Sequence, residues 1–195
     1  MMHWGVFQMT IEEINNSIEY WSNWASIEEN KRYDIALMKI WVQFEKFISD
    51  LFVNYSLGIP SENGYLPKRS LEFKSETQLN AFLRPENRTF IDYPSQIQKL
   101  SKYIFEKNPF DIIFLDSNNN VTYLNIMAIR NYVAHESGES REKLIKNLFA
   151  NRADKFEEPS VFLLKKEKNS KITHYSFYVK FIRDTAQLLT EDLSD

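Results

Sequence analysis

Three residues with chemical potential stand close together in the run Arg130-Asn131-Tyr132-Val133-Ala134-His135. A histidine titrates near neutral pH and can take or give a proton. An arginine keeps its charge and holds a phosphate through a planar fork of donors. An asparagine can orient the imidazole or bind phosphate itself. The combination is suited to acid–base work on a phosphodiester, with Arg130 stabilising negative charge and His135 moving protons. A single imidazole cannot easily make both proton transfers in one step. Glu45 is the fourth residue of interest. It falls between Met38, Trp41 and Phe52, near the centre of an apolar helical stripe. A buried carboxylate needs a partner, and Arg130 is the candidate: Glu45 would then aim the guanidinium.

These groups have to be positioned by a helix. At about 100° per residue, Ile126, Ile129 and Val133 fall on one side. Leu124, Ala128, Asn131 and His135 fall on the other. The helix is thus apolar on two sides, one for its own bundle and one for a second partner such as another subunit. Asn131 and His135, spaced i and i+4, can interact in that second contact. Arg130 lies roughly 140° from His135 by the same arithmetic, so its side chain must sweep round, or the helix must end near His135.

The remaining elements also read as helices. Only 4 glycines and 6 prolines punctuate the 195 residues, which favours long helices over short strands. Thr10-Ile11-Glu12-Glu13 has the form of a capping box, and Ser26-Ile27-Glu28-Glu29 repeats it. Both glutamate pairs suit helix starts better than catalysis. The second box opens a segment with Met38, Trp41, Ile48, Leu51, Phe52 and Tyr55 at helical spacing, stopped by Gly58. Residues 59–93 form an insert of weak periodicity, in which Ser75 caps a short helix ending before Pro85. Pro94 begins another helix that runs to about Asn108. Residues 111–115 are a short apolar run. After the turn Asn118-Asn119-Asn120, residues 121–136 form the helix of the motif, ended by Gly138. Residues 141–149 make a short helix, and 151–172 a basic loop with a short strand at 161–164. In the last helix Tyr178, Phe181, Ile182, Thr185, Leu188 and Leu189 share a face. The expected fold is a single all-α bundle with an inserted loop region between its second and third main helices.

Composition narrows the chemistry. There are no cysteines, which excludes disulfides, thiolate zinc sites and cysteine nucleophiles. His3, His135 and His174 are too few and too scattered for a histidine metal centre, so neither metal nor cofactor is expected. His174 reads as a surface or capping residue. No apolar run approaches the ~18 residues of a membrane span. No signal peptide is legible either, and the cytoplasm is the expected compartment. Net charge is −3, which argues against a general nucleic-acid coat. Its distribution is uneven: residues 10–50 carry 8 acidic and 4 basic side chains, residues 141–171 carry 9 basic and 5 acidic. The later half therefore allows a local anion-binding surface, within which Arg141 and Lys143 lie.

The run from Arg130 to His135 resembles the R-x(4–6)-H motif of HEPN domains, in which a polar residue typically follows the arginine, as Asn131 does here. The position of the motif late in the bundle, with one long helix after it, is also similar, as is an early long helix with an embedded acid. Some HEPN toxins carry a tyrosine two residues after the histidine; here Ser137 stands there. The resemblance implies a HEPN-like bundle acting as a metal-independent endoribonuclease. The 2′-hydroxyl of RNA would attack the phosphorus to leave a 2′,3′-cyclic phosphate and a 5′-hydroxyl. It further implies a homodimer that brings two Arg130 and two His135 to one cleft, a toxin or phage-defence setting, and an antitoxin or nucleotidyltransferase as further partner. Tyr132, Arg141 and Lys143 are the expected RNA contacts, with Tyr132 and Tyr123 able either to stack on a base or to pack in the core. A non-cleaving HEPN-like RNA- or nucleotide-binding module and a helical adaptor are the alternatives.

Overall fold

Thr10 starts the first helix as its capping box predicts: its side chain accepts from the Glu13 N–H, and the Glu13 carboxylate accepts from the Thr10 N–H at 2.8 Å. The computed structural model describes residues 9–27, 31–84, 93–166 and 171–192. Helix α1 (Ile11–Ser26) buries Ile14, Ile18 and Ala25. Ser26 closes this helix rather than opening the next, because the apolar face continues to the buried Ala25. The chain then turns through Lys31 (φ 37°) into α2 (Tyr33–Leu57). Glu28, Glu29 and His3 lie outside the described residues.

Helix α2 is the axis of the molecule. It buries Trp41, Phe44, Phe47, Ile48, Leu51, Phe52 and Tyr55, each contributing roughly 1.5–3 kcal/mol of apolar transfer. Gly58 stops it in the left-handed region (φ 81°). A side chain there would also meet the Arg69 guanidinium at 2.7 Å.

The insert holds the short α3 (Glu76–Leu83), capped by Ser75 as expected. Next comes α4 (Tyr93–Ile104). It stops short of Asn108 because the chain beyond it pairs with the insert: Ser70 N–H donates to the Ile104 carbonyl at 2.7 Å, and Arg69 bridges Phe105. A one-turn helix, α5 (Asp111–Phe114), leads into α6 (Ser117–His135). The asparagine run is helical rather than a turn. Asp116 caps α6, while the Asn119 and Asn120 amides donate to the Ile112 and Phe114 carbonyls of α5.

Gly138 is the first residue of α7 (Gly138–Leu148), not a terminator. Glu136 takes the left-handed conformation (φ 46°) that ends α6, and Ser137 caps α7. The basic loop contains a 3-10 turn (Ala153–Lys155) and, where a strand was expected, the short helix α8 (Pro159–Leu164), with Pro159 at its first position. Helix α9 (His174–Leu189) buries Tyr178, Phe181, Ile182, Thr185 and Leu189 and closes the bundle against α1, α2 and α8. Its first residue, His174, is stacked on Phe162 at 4.2 Å.

Among the described residues all regular elements are helical, and their buried faces join in one core cluster. No helix among them is long and apolar enough to cross a membrane.

Candidate functional site

Helix α6 packs on α2, α5, α7 and α9. This fixes its rotation: Ile126, Ala128 and Ile129 are fully buried or nearly so. Residues 120, 124, 127 and 131 then form a helical stripe along one wall of a cleft of about 640 Å³. The opposite walls come from Glu45, Lys46 and Ser49 of α2, from the start of α4 and from Phe114 of α5.

Arg130 stands at this cleft. Its Nη1 donates to Asn131 Oδ1 at 2.8 Å, and its Nη2 lies 3.7 Å from the Glu45 carboxylate. The expected pairing of Glu45 with Arg130 is thus present, between side chains 22% and 30% exposed. Arg130 Nε is buried without a hydrogen-bond partner among the described residues. That donor costs about 1–3 kcal/mol unmet, and being buried it is out of reach of a ligand, which leaves the terminal nitrogens as the part of the guanidinium that a ligand could meet.

His135 is the last residue of α6 and exposed. It lies one turn beyond Asn131 and is not among the residues lining the cleft. The structure therefore brings Arg130, Asn131 and Glu45 together and leaves His135 past the end of that group. Of the second side expected for α6, Leu124 and Asn131 face the cleft, while Ala128 is buried in the bundle.

The expected RNA contacts fall elsewhere. The Tyr132 hydroxyl donates to the Glu158 carboxylate at 3.2 Å, and its ring meets Phe156 edge-on at 6.0 Å. Burial and then the negative Glu158 push this hydroxyl above the usual tyrosine range. Arg141 sits over the same Phe156 ring at 4.2 Å. Lys143 pairs with Glu139 at 2.7 Å on the exposed face of α7. Arg141 and Lys143 share a groove of about 600 Å³ with Lys146, but Glu139 and Glu142 line it too. Tyr123 packs in the core, 5% exposed and edge-on to Trp41 and Phe114, and its edge also lines the Arg130 cleft.

Sequence reasoning missed Lys46, Ser95, Gln98 and Asn120 as cleft residues. For Asn120 a signal existed: read as helix, it begins the stripe that continues through Leu124, Met127 and Asn131. Ser95 and Gln98 arrive through the long-range docking of α4 on α2, which carries no local pattern. No protein-family profile, no curated protein and no solved structure matches the chain.

Proposed function

We propose that this chain is a HEPN-like endoribonuclease that cuts RNA through its own 2′-hydroxyl, works as a homodimer and serves in a toxin or phage-defence role. The supporting observation is where the Arg130 guanidinium is seated. Arg130 is tied to Asn131 and Glu45 at the edge of a cleft of nucleotide size, with an exposed imidazole one turn further along the same helix. In this reading Arg130 holds the non-bridging phosphate oxygens. One His135 takes the 2′-hydroxyl proton, and the oxygen it frees attacks the phosphorus. The 5′-oxygen leaves with a proton from the partner's imidazole. Atoms balance as a 2′,3′-cyclic phosphate and a 5′-hydroxyl.

One observation favours a second reading. His135 does not line the cleft of its own protomer, so a single copy offers an anion-binding arginine without a proton carrier. That is the arrangement of a nucleotide- or RNA-binding module that does not cut. Incubating wild type and His135→Ala with RNA in the presence of a chelator separates the two. The enzyme reading expects cyclic-phosphate ends from wild type and none from a variant that retains its circular dichroism. Undiminished cleavage by His135→Ala removes the site. RNA retained by wild type without any cyclic phosphate supports the binding module.

A further inference from the structure

The cleft beside Arg130 extends well beyond what grips a phosphate. From Asn120 to Arg130 it follows α6 for about 15 Å at the usual helix rise, and its volume of about 640 Å³ lies within the range of small-ligand sites. Its two ends differ in character. The Arg130 end is polar, with Asn131, the Glu45 carboxylate and the exposed Lys46 of α2, two cations against one anion. The far end is apolar, walled by Phe114, Leu124 and Met127, of which Leu124 is 37% exposed. Two amides also line the cleft, and one of them, Asn120, lies at this apolar part. Gln98 projects from α4, and Asn120 is steadied by a bond from its Nδ2 to the Phe114 carbonyl at 3.3 Å.

A phosphate-gripping end, an apolar slot and amides along the cleft are what one unpaired nucleotide requires. RNA is read on splayed-out bases, by contact with the base face and hydrogen bonds to its edge. We infer that the cleft is a base-reading subsite. It takes the single-stranded nucleotide adjoining the phosphate held by Arg130, with Leu124 and Met127 against the base and Gln98 and Asn120 as specificity-determining residues. The inference rests on the RNA-binding half of the proposed function and not on cleavage. A duplex cannot enter, because its bases are stacked and paired.

The test uses the full chain carrying His135→Ala, so that RNA is bound without being cut. Fluorescence anisotropy with labelled homopolymers of A, C, G and U measures affinity and base preference. Leu124→Asp sets a carboxylate against the base, in the cleft that also takes the phosphate, and should weaken the preferred homopolymer about tenfold, the scale of one lost base contact. Tyr20→Asp, at a position on α1 that is 63% exposed, should leave affinity unchanged. Gln98→Ala and Asn120→Ala should flatten the preference among the four. Circular dichroism melts accompany each variant; if Leu124→Asp unfolds, Gln98→Ala at its exposed position decides. Equal affinity for all four homopolymers in the parent protein, or a preference untouched by Gln98→Ala and Asn120→Ala, overturns the subsite. If instead the preference responds as described but wild type makes no cyclic phosphate, the subsite stands and the enzyme reading falls. If wild type cuts with site preferences that these variants do not alter, the subsite falls alone.

Discussion

Arg130 is held by two different kinds of contact, and they divide its work. The bond to Asn131 is short and directional, whereas the pair with Glu45, at 3.7 Å and partly exposed, is worth at most about 1 kcal/mol of stability. Glu45 therefore orients the guanidinium more than it stabilises the bundle. A lysine at position 130 would keep the charge and lose the fork, along with any directed bond to Asn131. Under the proposed ribonuclease mechanism, Arg130→Lys should lower kcat/KM for RNA cleavage about 100-fold, or roughly 2.7 kcal/mol of transition-state stabilisation, while its thermal melt stays within about 2 °C of wild type. Wild-type turnover would show that Arg130 does not touch the phosphate. Part of this was legible in the residues alone. A carboxylate set among Met38, Trp41 and Phe52 demands a cation, and only the geometry of α2 against α6 was needed to supply it. The opposite holds for Ser95 and Gln98, whose place at the cleft depends on helices separated by a long insert.

At the scale of elements, the joint between α6 and α7 follows directly on His135. Glu136 occupies the left-handed region without being glycine, at φ 46°, a conformation that costs about 1 kcal/mol for a residue with a Cβ. Ser137 then accepts from the Ser140 N–H at 3.2 Å, and Ser140 answers with its own hydroxyl. Two opposite effects on stability follow. Glu136→Gly should raise the urea midpoint by an amount worth up to about 1 kcal/mol, and Ser137→Ala should lower it by about 1 kcal/mol. A loss on Glu136→Gly would mean that the side chain makes contacts outweighing its strain. The same joint explains why the sequence misled here. Glycine is the commonest residue just past a helix end, so Gly138 looked like a stop, yet a strained glutamate two positions earlier does that work and frees Gly138 to open α7. The asparagine run misled for a related reason. Asparagine favours turns because its amide competes for backbone groups, and here Asn119 and Asn120 do bond carbonyls, but those of α5, so that α6 can begin at Ser117. At 161–164 a short apolar run was equally compatible with strand and helix, and Pro159 at the first helical position settled it. Thr10, Ser75, Gly58 and the face of α9 were readable because cap and periodicity agreed.

At the scale of the whole molecule, the question is how many copies make one site. The buried faces of α1, α2 and α9 meet in one core within a protomer, so that core makes no case for a dimer. A dimer is required by the chemistry proposed. The exposed imidazole lies outside its own cleft, and two proton transfers need two such groups. That requirement has a measurable signature when wild type and His135→Ala chains are mixed under conditions that let subunits exchange. If each protomer cuts alone, activity falls in proportion to the wild-type fraction. If both imidazoles of a symmetric pair are needed, only doubly wild-type dimers cut, and with random pairing an equal mixture retains roughly one quarter of the activity rather than one half. The shape of the whole dilution curve, quadratic or linear, distinguishes these without any assumption about RNA sequence. A linear curve, together with a monomer in sedimentation, would remove the paired-histidine mechanism and leave Arg130 and its cleft to be explained as a binding site.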